Sequence, residues 1–120
     1  MFSKQLLDHF QNPRHAGELP GATTNIEVSN PVCGDILQLA AIVEQGAIRD
    51  LRFLCRGCTA SIACASLLTQ LIWGKYLSEL TTVTPECLAA EFGGLPPTSF
   101  HAAQLACDAL KELLRAAGNQ

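Results

Sequence analysis

The chain has 120 residues, with 48% hydrophobic and 16% charged side chains and a formal net charge of −3. That length supports one domain, 1–120, with a single core, and that composition argues against disorder. The negative balance, without any cluster of Lys or Arg, argues against nucleic-acid or anionic-membrane binding, and no run approaches the roughly 20 apolar residues of a spanning helix.

In chain order, Phe2, Leu6, Leu7 and Phe10 predict a short amphipathic helix ended by Asn12-Pro13. This start carries Asp8 and has neither a long apolar run nor an Arg-rich stretch. It therefore reads as neither a secretory signal nor a transit peptide, and a cytoplasmic location is expected. A loop rich in Gly and Pro leads through Gly21 to a strand in which Ile26 and Val28 alternate with polar residues. Asn30-Pro31-Val32-Cys33-Gly34-Asp35 has turn chemistry, and residues 36–43 form a mostly apolar, branched run. Glu44-Gln45-Gly46 turns the chain before Leu51, Phe53 and Cys55 alternate with Asp50, Arg52 and Leu54. Such short connections imply three antiparallel strands.

Everything after Gly57 reads as helical. Cys64, Leu67, Leu68 and Leu71 fall on one apolar face of a helix that should end near Gly74. A shorter helix is expected over Pro85–Phe92, with Pro in its first turn and Gly93-Gly94 beyond it. A last helix, from about Ser99 to Ala117, carries the stripe Ala102, Leu105, Ala106, Ala109 and Leu113. Strands first and helices after predict an α+β domain with the helices on one face of a small sheet.

Six cysteines are present, at 33, 55, 58, 64, 87 and 107. In a reducing cytoplasm, and in a chain apolar enough to fold unaided, metal binding or thiol chemistry is a better reading than a disulfide framework. The ligand-type residues at element junctions are Cys33 and Asp35 in the first inter-strand turn, Cys58 at a helix start, and His101 in the first turn of the last helix. Gly34 lets the turn bring Cys33 and Asp35 to point the same way. A helix N-terminus favours a thiolate at Cys58, and His101 offers a neutral imidazole nitrogen. Two thiolates, a carboxylate and an imidazole suit zinc, or iron with sulfide. Simpler readings exist: Asp35 as a turn cap and His101 as a first-turn polar residue. Cys64, Cys87 and Cys107 are expected to be small buried hydrophobes, Cys55 either core or an auxiliary ligand within CxxC, and His9 and His15 surface or structural residues. Trp73 and Tyr76 are expected to pack at a helix end.

Four stretches carry a resemblance over nearly the whole chain: Asp8-His9-Phe10-Gln11-Asn12-Pro13-Arg14; Cys33-Gly34-Asp35; Gly57-Cys58 with Ser61-Ile62-Ala63-Cys64-Ala65-Ser66; and Leu95-Pro96-Pro97 leading to His101 and Leu105-Ala106. With these the sequence resembles the iron–sulfur cluster assembly scaffold family of IscU and the N-terminal domain of NifU. The resemblance implies a three-stranded antiparallel sheet with packed helices. It also implies a non-enzymatic role, in which sulfur from a cysteine desulfurase is combined with iron and a transient [2Fe-2S] cluster passes to apo-proteins or carriers. By the same resemblance Cys33, Asp35, Cys58 and His101 are the metal ligands, with Cys58 or Cys33 as sulfur acceptor, and the protein is a monomer or weak dimer.

The chain departs from that family at two places. Relatives carry a third cysteine directly after the His, and here the residue is Ala102. Cys107 is no substitute, since it projects about 120° around the helix and about 9 Å along it from His101. Ser99 stands where relatives served by a dedicated Hsp70-type chaperone have Lys, which leaves that partner in doubt. The missing thiol keeps two other readings open: a zinc-bound persulfide relay, and a degenerate paralogue that only binds partners.

Overall fold

The structure, a computed structural model, describes residues 2–118, so the expected 1–120 domain extends to Met1, Asn119 and Gln120 outside the described residues. Helix α1 (Lys4–Gln11) begins where Ser3 caps it, accepting the Leu6 N–H at 3.1 Å, and it buries Leu6 and His9. Leu7, expected in its apolar stripe, is instead exposed, because the buried stripe is narrower than the run of apolar residues.

Three strands follow as a meander, β1 (Thr24–Ser29), β2 (Ile36–Glu44) and β3 (Ala47–Arg56), paired antiparallel in that order. The register aligns the alternating apolar residues into rungs on one face: Thr24, Ala41 and Leu51; then Ile26, Leu39 and Phe53; then Val28, Leu37 and Cys55. Asn25, Ala40, Arg52, Glu27, Gln38 and Leu54 alternate with them on the outer face. Gln45 and Gly46, both at positive φ, close the β2–β3 hairpin with the two-residue turn that matches strand twist. Before β1 the chain runs along the free edge of β3, where the Phe53 N–H donates to the His15 carbonyl and the Gly17 N–H donates to the Phe53 carbonyl, both at 2.9 Å.

Helices α2 (Thr59–Ile72), α3 (Pro85–Glu91) and α4 (Phe100–Gly118) come next. α4 lies against β1 and β2, while α2 packs on β3, α1 and α4. α2 is therefore buried almost all round, from Ala60 to Ile72, rather than along one stripe; Leu71, expected on that stripe, is only half-buried. Its run of Ala and Ser permits close approach on several sides at once. All five expected stripe residues of α4 are buried. Short 3-10 helices at Leu77–Thr82 and Pro97–Ser99 fill the connections, the second caused by Pro96-Pro97. Cys64 and Cys107 are core residues as expected, but Cys87 is exposed, because α3 turns Leu88 and Ala89 inward instead. Trp73 is half-buried and stacks on His15 at 4.0 Å, whereas Tyr76 is 55% exposed and is not a packing residue. Among the described residues no helix is long and apolar enough to cross a membrane.

His9 is structural. Its Nδ1 lies 2.8 Å from the buried Ser66 hydroxyl, and its ring meets Phe92 edge-on at 5.5 Å. Ser66 Oγ also accepts the Arg14 N–H at 2.8 Å, so it ties α1, the following loop and α2 together. Burial first, and the nearby Arg14 second, hold the His9 pKa below its ordinary value. His15 is lowered likewise, by burial and then Arg52. A depressed histidine pKa means that the folded state binds fewer protons than the unfolded chain. The stabilisation is complete above the unfolded value of about 6.5 and is lost as pH falls below it. The thermal midpoint should therefore drop between about pH 7 and pH 5, and His9→Gln should flatten part of that slope; circular dichroism melts across the range provide the check.

Candidate metal-binding site

The turn that joins β1 to β2 is built by Asn30, whose side-chain oxygen accepts the Val32 N–H at 2.9 Å and whose carbonyl accepts the Gly34 N–H at 2.7 Å. Gly34 is at φ 78°, the left-handed conformation that this turn requires. The turn leaves Cys33 exposed and folds Asp35 inward to 7% exposure. Cys58 is the N-cap of α2, with an exposed thiol. His101 enters from the first turn of α4, where Nδ1 lies 3.1 Å from the Thr98 carbonyl. A carbonyl can only accept, so Nδ1 carries a hydrogen, and in the neutral ring the lone pair is then on Nε2, the nitrogen that faces Cys58 and Asp35. That second bond to a backbone carbonyl is how metal-ligating histidines are ordinarily oriented.

These segments, distant in sequence, converge. Cys33, Asp35 and His101 offer ligand-type atoms that all lie within 4.8 Å of one another. Cys58 Sγ lies 3.6 Å from Asp35 Oδ2 and 3.8 Å from His101 Nε2, and His101 Nε2 lies 3.8 Å from Asp35 Oδ2. Donors around one tetrahedral ion, at bond lengths of about 2.0–2.3 Å, sit about 3.3–3.8 Å apart. The spacing of Cys58, Asp35 and His101 is thus close to what a single ion requires. Burial alone would raise the Asp35 pKa, but hydrogen bonds from Ser61, Cys33 and Cys58 outweigh it and hold the carboxyl below its ordinary value. The group is an acceptor-only carboxylate at neutral pH.

Cys55 stands differently. It is the last inner rung of β3, opposite Leu37, half-buried against the core. Burial, with smaller contributions from Asp35 and Cys58, pushes its thiol up to about 12, so it is protonated near neutrality. Cys64 is pushed up to about 12 as well, again mainly by burial. Ala102, beside His101, is fully buried and supplies no donor. A groove of about 520 Å³ between Gly17–Pro20 and the outer sheet face is lined by neither Cys nor His, and it does not compete as a metal site.

Two residues without an assigned chemical part in the sequence belong to this arrangement. Ser61, 2% exposed, donates its hydroxyl hydrogen to Asp35 Oδ2, and its Oγ lies 3.2 Å from Cys58 Sγ. Its position three residues after a helix-capping Cys was the available signal. Gly57 is required by proximity: a Cβ there would lie 2.8 Å from Asp35 Cγ and 3.1 Å from Ser61 Cβ. Gly57→Ala should consequently push Asp35 off Ser61 and cost about 1–3 kcal/mol in overpacking, measurable by urea unfolding.

Comparison with known proteins identifies relatives of the whole chain. A family model described as "NifU-like N terminal domain" matches residues 1–116. Iron-sulfur cluster assembly scaffold protein IscU 1 of Archaeoglobus fulgidus is 39% identical over 114 residues, covering 95% of this chain and 74% of that protein. The scaffold protein IscU of Azotobacter vinelandii is 37% identical over 118 residues, covering 95% of this chain and 91% of that protein. Among solved structures, the N-terminal part of a NifU-like protein from Brucella abortus superposes with TM-score 0.81 at 17% identity, covering 98% and 94% of the two chains. A candidate scaffold of the SUF system from Fervidobacterium islandicum AW-1 superposes with TM-score 0.80 at 20% identity, covering 94% and 96%. Those two likenesses establish the shared α+β architecture. The chain belongs to the family of NifU-like N-terminal domains.

Proposed function

We propose that this protein is a non-enzymatic scaffold for iron–sulfur cluster assembly. Cys33, Asp35, Cys58 and His101 hold iron, with sulfide as a transient [2Fe-2S] cluster, or a zinc ion. The observation that carries the reading is the convergence of the Cys58 thiol, the Asp35 carboxylate and the His101 imidazole 3.6–3.8 Å apart, with the Cys33 thiol within 4.8 Å of the last two, from three separate segments. The His101 orientation by Thr98 and the family membership support it. The cluster is cargo, so exposed donors suit the role: Cys33 and Cys58 are open to a partner, while Asp35 is anchored beneath them. The partners are a cysteine desulfurase as sulfur donor and apo-proteins or carriers as recipients.

Anaerobic incubation with a desulfurase, cysteine and ferrous iron should give the visible absorption of a cluster, abolished by Cys58→Ala. A wild type that stays colourless while Ala102→Cys gains the bands would sink the scaffold reading. The protein as purified should carry about one equivalent of zinc or iron held by these four donors. Cys33→Ala or His101→Ala should weaken binding by about tenfold or more, and affinity should fall as pH is lowered, because protons compete for the same donor atoms. Competition with a chromophoric chelator measures both.

The buried Ala102, together with the two exposed thiols, favours one alternative: persulfide carried on Cys58 or Cys33 with zinc on the remaining donors. Intact-mass spectrometry after incubation with the desulfurase would show one added sulfur, removed by reductant. Absence of any adduct excludes the relay.

A further inference from the structure

We infer that Ser61 is the positioning residue of this site: its hydroxyl holds the Asp35 carboxylate in the orientation from which Asp35 can share one ion with Cys58 and His101. The inference rests on the metal-site reading above and adds a residue that stands outside the donor set.

A serine in the first turn of a helix usually serves its own helix, bonding a nearby backbone group. Ser61 instead reaches a side chain 26 residues earlier in the chain. A hydroxyl has one hydrogen, and an ionised carboxylate only accepts, so the direction of this bond is fixed. The same oxygen faces Cys58 Sγ at 3.2 Å with its lone pairs. One buried atom therefore touches two of the four donors from the protein side, and the same two donors meet His101 Nε2 at 3.8 Å.

The need for such an anchor follows from the side chain it holds. The terminal torsion of Asp is broad and roughly two-fold, so the backbone alone does not specify where the two oxygens point. The backbone N–H of Cys58 and the Cys33 thiol also donate to Asp35, but both belong to the exposed rim of the site. Ser61 is the fully interior partner, seated on the rigid, all-round buried α2. Gly57 completes the slot from the other side, leaving no room for even a methyl group beside the Asp35–Ser61 pair. Donors held this way are pre-organised, and loss of a bond that orients a metal ligand typically weakens metal binding by about 10–100-fold.

Cobalt(II) is a suitable probe, because its d–d and sulfur-to-cobalt bands report coordination directly. The full chain would be titrated anaerobically as wild type, Ser61→Ala, Asp35→Asn and the double variant, with the unfolding midpoint of each metal-free protein recorded. Expected are a wild type that binds cobalt, a Ser61→Ala variant about tenfold or more weaker with altered d–d bands, and no additional loss from Ser61→Ala in the Asp35→Asn background. A merely structural serine would lower the unfolding midpoint but leave the spectrum of the bound ion unchanged. Wild-type affinity and spectrum in Ser61→Ala would overturn the inference, as would an equal loss in both backgrounds. If the wild type itself binds no cobalt, the metal-site reading fails first and takes this inference with it.

Discussion

Asp35, Gly57 and Ser61 meet where the turn after β1 touches the start of α2, and this contact governs how the open end of the fold is arranged. Asp35 is a nearly buried carboxylate, and burying a charge costs several kcal/mol unless hydrogen bonds replace its hydration. The replacement comes mainly from Ser61, helped by Cys33 and Cys58. For the serine to reach, α2 must approach the turn so closely that residue 57 can carry no side chain. The same approach brings the Cys58 thiol beside the carboxylate. Geometry that satisfies a buried charge thus also assembles half of the candidate metal site.

The remainder of the molecule keeps that contact from drifting. α2 is fixed by neighbours on several sides: β3 beneath, α4 alongside, and α1 through the Ser66 hydroxyl shared by His9 and Arg14. The sheet register is fixed by three apolar rungs, and a slip of one residue would turn all of them to the outer face. Cys55 belongs to the third of these rungs. It therefore has a packing reason to exist even though it lies next to the site, and its elevated pKa is the electrostatic expression of that burial.

Much of this was legible in the residues. Alternation at Ile26 and Val28 and across 50–55, the branched apolar run 36–43 and the turn chemistry between them specified the meander, and the α4 stripe matched residue for residue. Convergence of Cys33, Asp35, Cys58 and His101 was legible because all four sit at element junctions. What local pattern could not supply was the environment of each side chain. Cys87 and Cys107 look alike in sequence, yet one faces solvent, because only the docking angle of a seven-residue helix decides which of its sides is covered. The all-round burial of α2 was hidden for a related reason: Ala and Ser are compatible with either a surface or a tight interface, and only tertiary packing chooses. Ser61 offered only its spacing from Cys58 as a signal, because its hydrogen-bond partner lies 26 positions away.

The junction at Pro96-Pro97 has a wider consequence. The short 3-10 turn there presents the Thr98 carbonyl to His101 and starts α4, the helix that covers β1 and β2. An ion shared by residues 33–35, 58 and 101 would act as a clasp across three chain segments, closing two long loops at once. Loading and unloading would then be mechanically coupled to how firmly the longest helix seats on the sheet. Removing that ion would loosen one end of the molecule in the same motion, and its loss would be felt along α4 rather than at four side chains alone.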